Sequence, residues 1–403
     1  MAVKTTPTTS GQPAIAPLGF TAGAAKAGVK TAVAERLDVG LIVSDRPCVA
    51  AGVFTTNQVI AAPCVLTRKH LEGGTLRGIV VNSGIANACT GDEGDRAAAA
   101  MADAAAKAIG CAVNEVGVAS TGVIGWQLPV DRIAKGVAGI RPSAAGFDDF
   151  SRAIMTTDTK PKLVTNTATI GGVTVRVLGV AKGAGMIHPN MATLLTFVIT
   201  DAAIPATALA PIVKHAADRS FNAISVDGDT STNDTLLVLA NGASGSPTTA
   251  DAVSQVAVLI DLVCETLARA IVADGEGVTK VFAVRVSGAA TDEDARRAAR
   301  TITTSNLVKT AIHGADPNWG RILAAAGRSG ARVEDRKASV RIGGLDVFTD
   351  GAPVKFDPNA LRAAFSRSDI EIEVALGLGG GAATAWGTDL SAEYVRINAD
   401  YTT

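Results

Sequence analysis

Lys182-Gly183-Ala184-Gly185-Met186-Ile187-His188-Pro189-Asn190-Met191-Ala192 runs directly into Thr193-Leu194-Leu195-Thr196-Phe197-Val198-Ile199-Thr200, and the join between these two stretches organises the reading of the whole chain. Two glycines and a proline make the first stretch an irregular, permissive loop. The second is β-branched and aromatic, the composition of a buried strand. Thr193 therefore stands at a loop-to-strand junction. On this local pattern alone, a threonine that opens a strand is a strand former and a Lys-Gly-x-Gly loop is a turn. The junction also admits a chemical reading. A threonine hydroxyl is a poor nucleophile at neutral pH without a base beside it, and cutting the preceding peptide bond exposes the residue's own α-amine, which titrates at roughly 7.7–8.0.

Length and composition bound the rest. At 403 residues, 47% of them hydrophobic, the chain is long enough for two or three domains with sizeable cores. Lys and Arg number 37 against 38 Asp and Glu, for a net charge of -1, so there is no overall basic field for nucleic acid or an anionic membrane. A small-molecule ligand is expected instead. The five cysteines (Cys48, Cys64, Cys89, Cys111, Cys264) form no CxxC or metal-like pair, and their odd number suits reduced cytoplasmic thiols serving as small core residues. The opening MAVKTTPTTSGQ has no apolar core and reads as a disordered tail, not a signal peptide. No apolar run approaches the roughly 20 residues of a membrane span.

Strand-like runs at Leu41-Ile42-Val43, Gly78-Ile79-Val80-Val81 and Thr174-Val175-Arg176-Val177-Leu178 are separated by turn clusters and helix-period segments. Asp95 to Ile109 is alanine-rich and helical by propensity, and Ala252 to Val272 repeats apolar residues at helical spacing. Beyond Lys280, Val281 to Val286 reads as a strand, Asp292 to Leu307 as a helix, and Ile370-Glu371-Ile372-Glu373-Val374 alternates as a half-exposed strand does. The class expected is α+β. A boundary near the Gly277–Lys280 turn divides the chain into a larger unit, 1–278, and a smaller α/β unit, 279–403.

The sequence resembles the ornithine acetyltransferase family of arginine biosynthesis, also called the bifunctional glutamate N-acetyltransferases. Lys182 to Thr193 matches the family motif Lys-Gly-x-Gly-Met-x-x-Pro-x-Met-Ala-Thr, and further blocks follow in the family's order: GVFTTNQVIAAP, VNSGIANACTG, STGVIG, AIMTTD, DGDTSTNDT, ADGEGVTK, HGADPNWGRI and TDLSAEYV. Leu194 stands where many relatives have Met, a swap that keeps the position apolar. The resemblance implies autoproteolysis between Ala192 and Thr193, an αββα N-terminal-nucleophile-like core, and a smaller C-terminal α/β domain whose tail returns to the site. It implies ping-pong transfer of acetyl from N-acetyl-L-ornithine to L-glutamate through an acetyl-Thr193 ester, with no metal or organic cofactor, and acetyl-CoA as a further donor in some members. The α and β chains cut from one precursor stay together, as a heterotetramer.

The same resemblance assigns roles to residues whose chemistry suits them. The tetrahedral intermediates of acyl transfer need donors for an oxyanion; Thr121 offers a hydroxyl and Gly122 a backbone N–H that no side chain shields. Lys182 offers a cation for an amino-acid carboxylate, Glu276 an anion for a substrate amine, and Thr156 or Thr157 a hydroxyl. Asn398 and Thr403 match the polar tail that approaches the site in the family.

Competing constellations are weaker. Gly377-Leu378-Gly379-Gly380-Gly381 follows a strand, but ATAWGTDL after it lacks a helical pattern, so a dinucleotide loop is rejected. No GxSxG elbow, HExxH or P-loop appears, and His70, His188, His215 and His313 lack metal-ligand spacing. His188 is not taken as the base, because the motif tolerates varied residues there. HGADPNWGRI either lines the site or packs between domains. Two other classes stay open at this point: an aminopeptidase or amidase of related fold, with water as acceptor, and an unprocessed, non-catalytic relative.

Overall fold

The computed structural model describes residues 6–8, 15–31, 35–188 and 194–400. In chain order, the first part runs β1 (Thr6–Thr8), β2 (Phe20–Ala25), β3 (Val39–Phe54), α1 (Ala62–Leu71), β4 (Thr75–Ile85), α2 (Gly91–Ile109), β5 (Val116–Val123), α3 (Val130–Gly139), α4 (Phe147–Ala153), β6 (Lys162–Ile170), β7 (Val173–Lys182), β8 (Leu195–Thr200), α5 (Ala206–Arg219), β9 (Ile224–Ser225), β10 (Thr235–Ala240) and α6 (Ala250–Val272). The second runs β11 (Val281–Ala289), α7 (Asp292–Thr303), α8 (Asn306–His313), α9 (Trp319–Gly327), β12 (Ser339–Ile342), β13 (Leu345–Thr349), β14 (Ala352–Pro353), α10 (Pro358–Phe365), β15 (Asp369–Ala375), β16 (Gly381–Thr388) and α11 (Ala392–Asp400).

Side-chain alternation shows how the first sheet is layered. Along β8, Leu195, Phe197 and Ile199 enter one core while Val198 enters another; along β10, Leu237 and Leu239 part in the same way from Leu236, Val238 and Ala240. Leu195, Phe197 and Leu237 meet Ile42, Leu76, Ile79 and Val81 from β3 and β4, so two β layers pack face to face. The opposite face of β7, β8 and β10 is covered by α5 and α6, through Leu209, Val213, Leu259, Val263 and Leu267. Val39, Leu41, Val80 and Val118 face α2 and α3, through Met101, Ala102, Ala105, Ile133 and Val137. The result is helix, sheet, sheet, helix. One strand joins the two β layers: the first half of β3 pairs with β2 and β4, the register to β4 shifts between Val43 and Cys48, and the last six residues pair with β10.

The sheet order β1-β6-β7-β8-β10-β3-β4-β5 puts β8 between β7, antiparallel, and β10, parallel. A second sheet, β14-β13-β12-β15-β11-β16-β9, has its own core around Phe282, Ile302, Ile372 and Phe365. Its edge strand β9 belongs to the first part of the chain, which ties the two sheets together.

Three expectations need correction. The helix expected over Asp292–Leu307 is two helices, because Ser305 caps a new one by accepting from Val308 N. Thr6–Thr8, within the stretch expected to be a tail, pairs with Thr165–Thr167 of β6. Cys48, Cys64 and Cys264 are buried core thiols, whereas Cys89 is exposed and Cys111 half-buried.

Candidate active site

Thr121 and Gly122 come just before the end of β5 at Val123, beside the end of β4. Gly122 has φ +128° and lies so close to Gly84 that a Cβ would run into the Gly84 carbonyl group. That packing reason for glycine is independent of any ligand. Asn233 donates to the carbonyls of Ala86 (2.6 Å) and Ser120 (2.9 Å), fixing the segment before Thr121 against the start of β10.

Lys182 is the last residue of β7, a strand end and not a member of the loop, and it is paired with Leu195 of β8. Its ammonium is buried and donates to the Thr156 (2.7 Å) and Thr121 (3.3 Å) hydroxyls. An ammonium has three hydrogens, so one remains. Because Thr121 Oγ1 accepts from Lys182, its own proton is left to point elsewhere. Burial pulls the Lys182 pKa down, opposed by the charges of Asp158, Glu276 and Asp234.

A row of buried charges supports this lysine. Lys162 donates to Asp158 (2.7 Å) and to Asp274 (2.7 Å), and Asp158 lies 3.9 Å from Lys182. Asp158 also accepts from Gly183 N (2.6 Å) and Thr156 N (3.0 Å). Burial pushes its carboxyl up, but Lys182, Lys162 and the Gly183 amide outweigh burial and hold it at about 2. Asp274 accepts from the Thr159 hydroxyl and amide, linking this row to the turn after α6.

That turn carries Glu276, whose amide donates to Ala184 O (3.0 Å) and whose carboxylate accepts from Asn398 Nδ2 of α11 (2.9 Å). Gly185 passes so near the Glu276 carboxylate that a Cβ there would collide with it. Asp227 holds the loop from its other side, accepting from Met186 N (2.6 Å) and Ile187 N (2.9 Å).

These elements enclose a cavity of 730 Å³. Thr121, Gly122, Thr156, Thr157, Lys182, Glu276 and Asn398 all line it, and so does Leu194. Ala192, Thr193 and Thr403, to which cleavage, nucleophile and tail roles fall, lie outside the described residues. Asp158, Asp227 and Tyr394 do not stand out individually in the sequence, yet Asp227 and Tyr394 line the cavity and Asp158 supports Lys182. Asp158 and Asp227 sit inside AIMTTD and DGDTSTNDT, where a carboxylate among small polar residues was the available signal. HGADPNWGRI does not line the cavity; Trp319 stacks on Phe348, and His313 contacts Asp389 at 2.7 Å. Among the described residues, no helix is long and apolar enough to cross a membrane, and no group of three or more His, Cys, Asp or Glu is placed to hold a metal ion.

A model of the ArgJ family matches residues 21–403. The arginine biosynthesis bifunctional protein ArgJ of Symbiobacterium thermophilum is 50% identical over 396 residues, covering 96% of this chain and 98% of its own. A solved ArgJ chain from Bacillus halodurans is 42% identical, with TM-score 0.50, covering 51% of this chain and 98% of its own. An ornithine acetyltransferase from Mycobacterium tuberculosis, solved in complex with ornithine, is 40% identical, with TM-score 0.42, covering 47% of this chain and 100% of its own.

Proposed function

The chain belongs to the ArgJ family and is an ornithine acetyltransferase of arginine biosynthesis, and we propose that it works by double displacement on Thr193, freed as an N-terminus by cleavage after Ala192. The observation that carries this reading is convergence: Thr121, Gly122, Lys182, Glu276 and Asn398, far apart in sequence, share one cavity with Leu194, the residue after Thr193.

In the proposed cycle the α-amine of Thr193 takes the hydroxyl proton as Oγ attacks the acetyl carbonyl of N-acetyl-L-ornithine. The Thr121 hydroxyl and the Gly122 N–H hold the oxyanion. The proton passes to the departing nitrogen, ornithine leaves, and Thr193 keeps the acetyl group as an ester. The α-amine of L-glutamate then attacks the ester, and the hydroxyl is restored. Lys182 holds the substrate carboxylate, while Glu276, positioned by Asn398, faces a substrate ammonium, and Thr156 donates a hydroxyl.

The same oxyanion donors serve maturation, since attack of Thr193 Oγ on the Ala192 carbonyl generates an equivalent oxyanion. Acetyl-CoA is a second donor in this scheme. The units 1–278 and 279–403 contribute the catalytic core and the returning tail, and the two product chains assemble as a heterotetramer in the cytoplasm. Family membership does not support the hydrolytic alternative with water as acceptor. The test is Thr193→Ala, which is expected to stay as one 40.6 kDa chain without transferase activity, while N-terminal sequencing of the wild type finds Thr193 leading one fragment. Efficient cutting of the variant sinks the assignment.

A further inference from the structure

A second cavity, of 530 Å³, shares no lining residue with the first and is lined by residues of α5 and α7. Its wall carries four cationic side chains, Lys214, Arg296, Arg297 and Arg300, and two carboxylates, Asp218 and Glu293. Both carboxylates are engaged. Asp218 accepts from Lys214 (2.6 Å) and Asn222 (2.9 Å), and Glu293 is shared by Arg296 and Arg297, each at 3.1 Å.

Arg300 stands apart. It is half-buried, and it donates to Asn222 O (2.8 Å) and to His188 Nε2 (2.9 Å), neither of which carries negative charge. Among the described residues no carboxylate comes within ion-pairing distance of it. Two of its five N–H donors are used by these bonds. A partly desolvated guanidinium with no direct ion pair is costly, and burial pulls its pKa below the usual arginine value against the opposing charge of Glu293, which is itself engaged by Arg296 and Arg297. With Arg296 and Arg297 one turn away on the same helix, the arrangement suits planar donors converging on an oxyanion.

We propose that this cavity binds a small, multiply charged oxyanion of the phosphate class, and that its occupancy is sensed at His188. This stands independently of the Thr193 assignment. His188 accepts from Arg300, so its Nδ1 carries the proton, directed at Ser225 Oγ at 3.3 Å. Burial first, and then the charge of Arg300, hold its pKa at about 4. The charged groups lining the cavity with it are Lys214, Asp218, Glu293, Arg296, Arg297 and Arg300. An anion beside Arg300 offsets the guanidinium charge and raises the His188 pKa. The signal has a short path: Ile187, next to His188, is held by Asp227, and Asp227 lines the first cavity.

The test uses the full-length protein with carbon-13-labelled histidine. Inorganic phosphate is titrated at ionic strength held constant with sodium chloride, with sulfate and citrate as parallel arms, and His188→Gln identifies the His188 resonance. A saturable shift of that resonance by phosphate and sulfate is expected, and Arg296→Ala/Arg297→Ala should weaken it about tenfold or more. Lys214→Ala, a surface change, gives a second and smaller weakening should the double variant fail to fold. Saturable phosphate binding should also alter KM or kcat of acetyl transfer in the wild type but not in the double variant. No saturation, equal affinity in well-folded variants, or binding of citrate alone overturns the phosphate-class site; saturable binding that leaves the His188 resonance unmoved overturns the sensing.

Discussion

Replacing Asp158 by Asn preserves the shape of the side chain but removes the negative charge shared by Lys162 and Lys182. The wild-type carboxylate has no exposed surface and receives Lys162 Nζ at 2.7 Å and Gly183 N at 2.6 Å. Breaking one partner of a buried pair costs about 3–5 kcal/mol. A carboxyl held at about 2, against an unfolded value near 3.9, corresponds to roughly 2–3 kcal/mol. Because the folded pKa is the lower one, this contribution is complete above pH ~4 and is lost as the pH falls towards ~2. Thermal unfolding of wild type and variant in parallel buffers should show a clear gap at neutral pH that closes through the acid range, where protonated Asp and Asn become equivalent. A gap that is absent at neutral pH, or that stays constant down to the lowest pH at which both fold, rules out a stabilising charge on Asp158.

Thr121→Ala should slow both maturation and turnover by about 10²–10³ with the thermal midpoint preserved, since the lost donor acts on an oxyanion that exists only transiently; time courses of chain cleavage and of acetyl transfer check this. Lys182→Ala should weaken capture of glutamate and raise the share of acetyl lost to water, read as acetate released per N-acetylglutamate formed at subsaturating glutamate. In the wild type, burial lowers the Lys182 pKa, so KM for glutamate should climb on the alkaline side at a lower pH than an ordinary lysine would give. A flat alkaline KM profile argues against the carboxylate contact.

The periodicity along the chain made the mixed α+β class readable, because that signal is local. The candidate site residues came from the family resemblance, and Thr121, Gly122, Thr156, Lys182, Glu276 and Asn398 line one cavity, with their roles left to the proposal. Lys182, read with the loop that follows it, is the last residue of β7 and pairs with Leu195, a contact that the glycine-rich stretch after it conceals. What escaped is non-local or small. The Asp158–Lys162–Asp274 row joins residues more than a hundred positions apart, and nothing in AIMTTD announces its partner. The break at Ser305 is one cap hydrogen bond inside a run of helix formers, a contribution of about 1 kcal/mol that composition does not reveal. Thr6–Thr8 forms a strand only because the edge of β6 accepts it. The layering of the first sheet is written in the alternation along β8 and β10, but that pattern gains meaning only once the opposing layer is known.

β8 is an interior strand, bonded on one side to β7 and on the other to β10. With scission after Ala192, it becomes the leading segment of the second polypeptide, threaded between a neighbour from each product. Such a strand cannot be slotted into a finished sheet without opening two rows of hydrogen bonds and exposing Leu195, Phe197 and Ile199. Under the proposed scission the order of events is constrained: the continuous chain folds before it is cut. Two separately translated halves would each lack the template against which the other assembles, so in the proposed scheme the uncut peptide is the protein's own assembly jig, spent only when the architecture is complete.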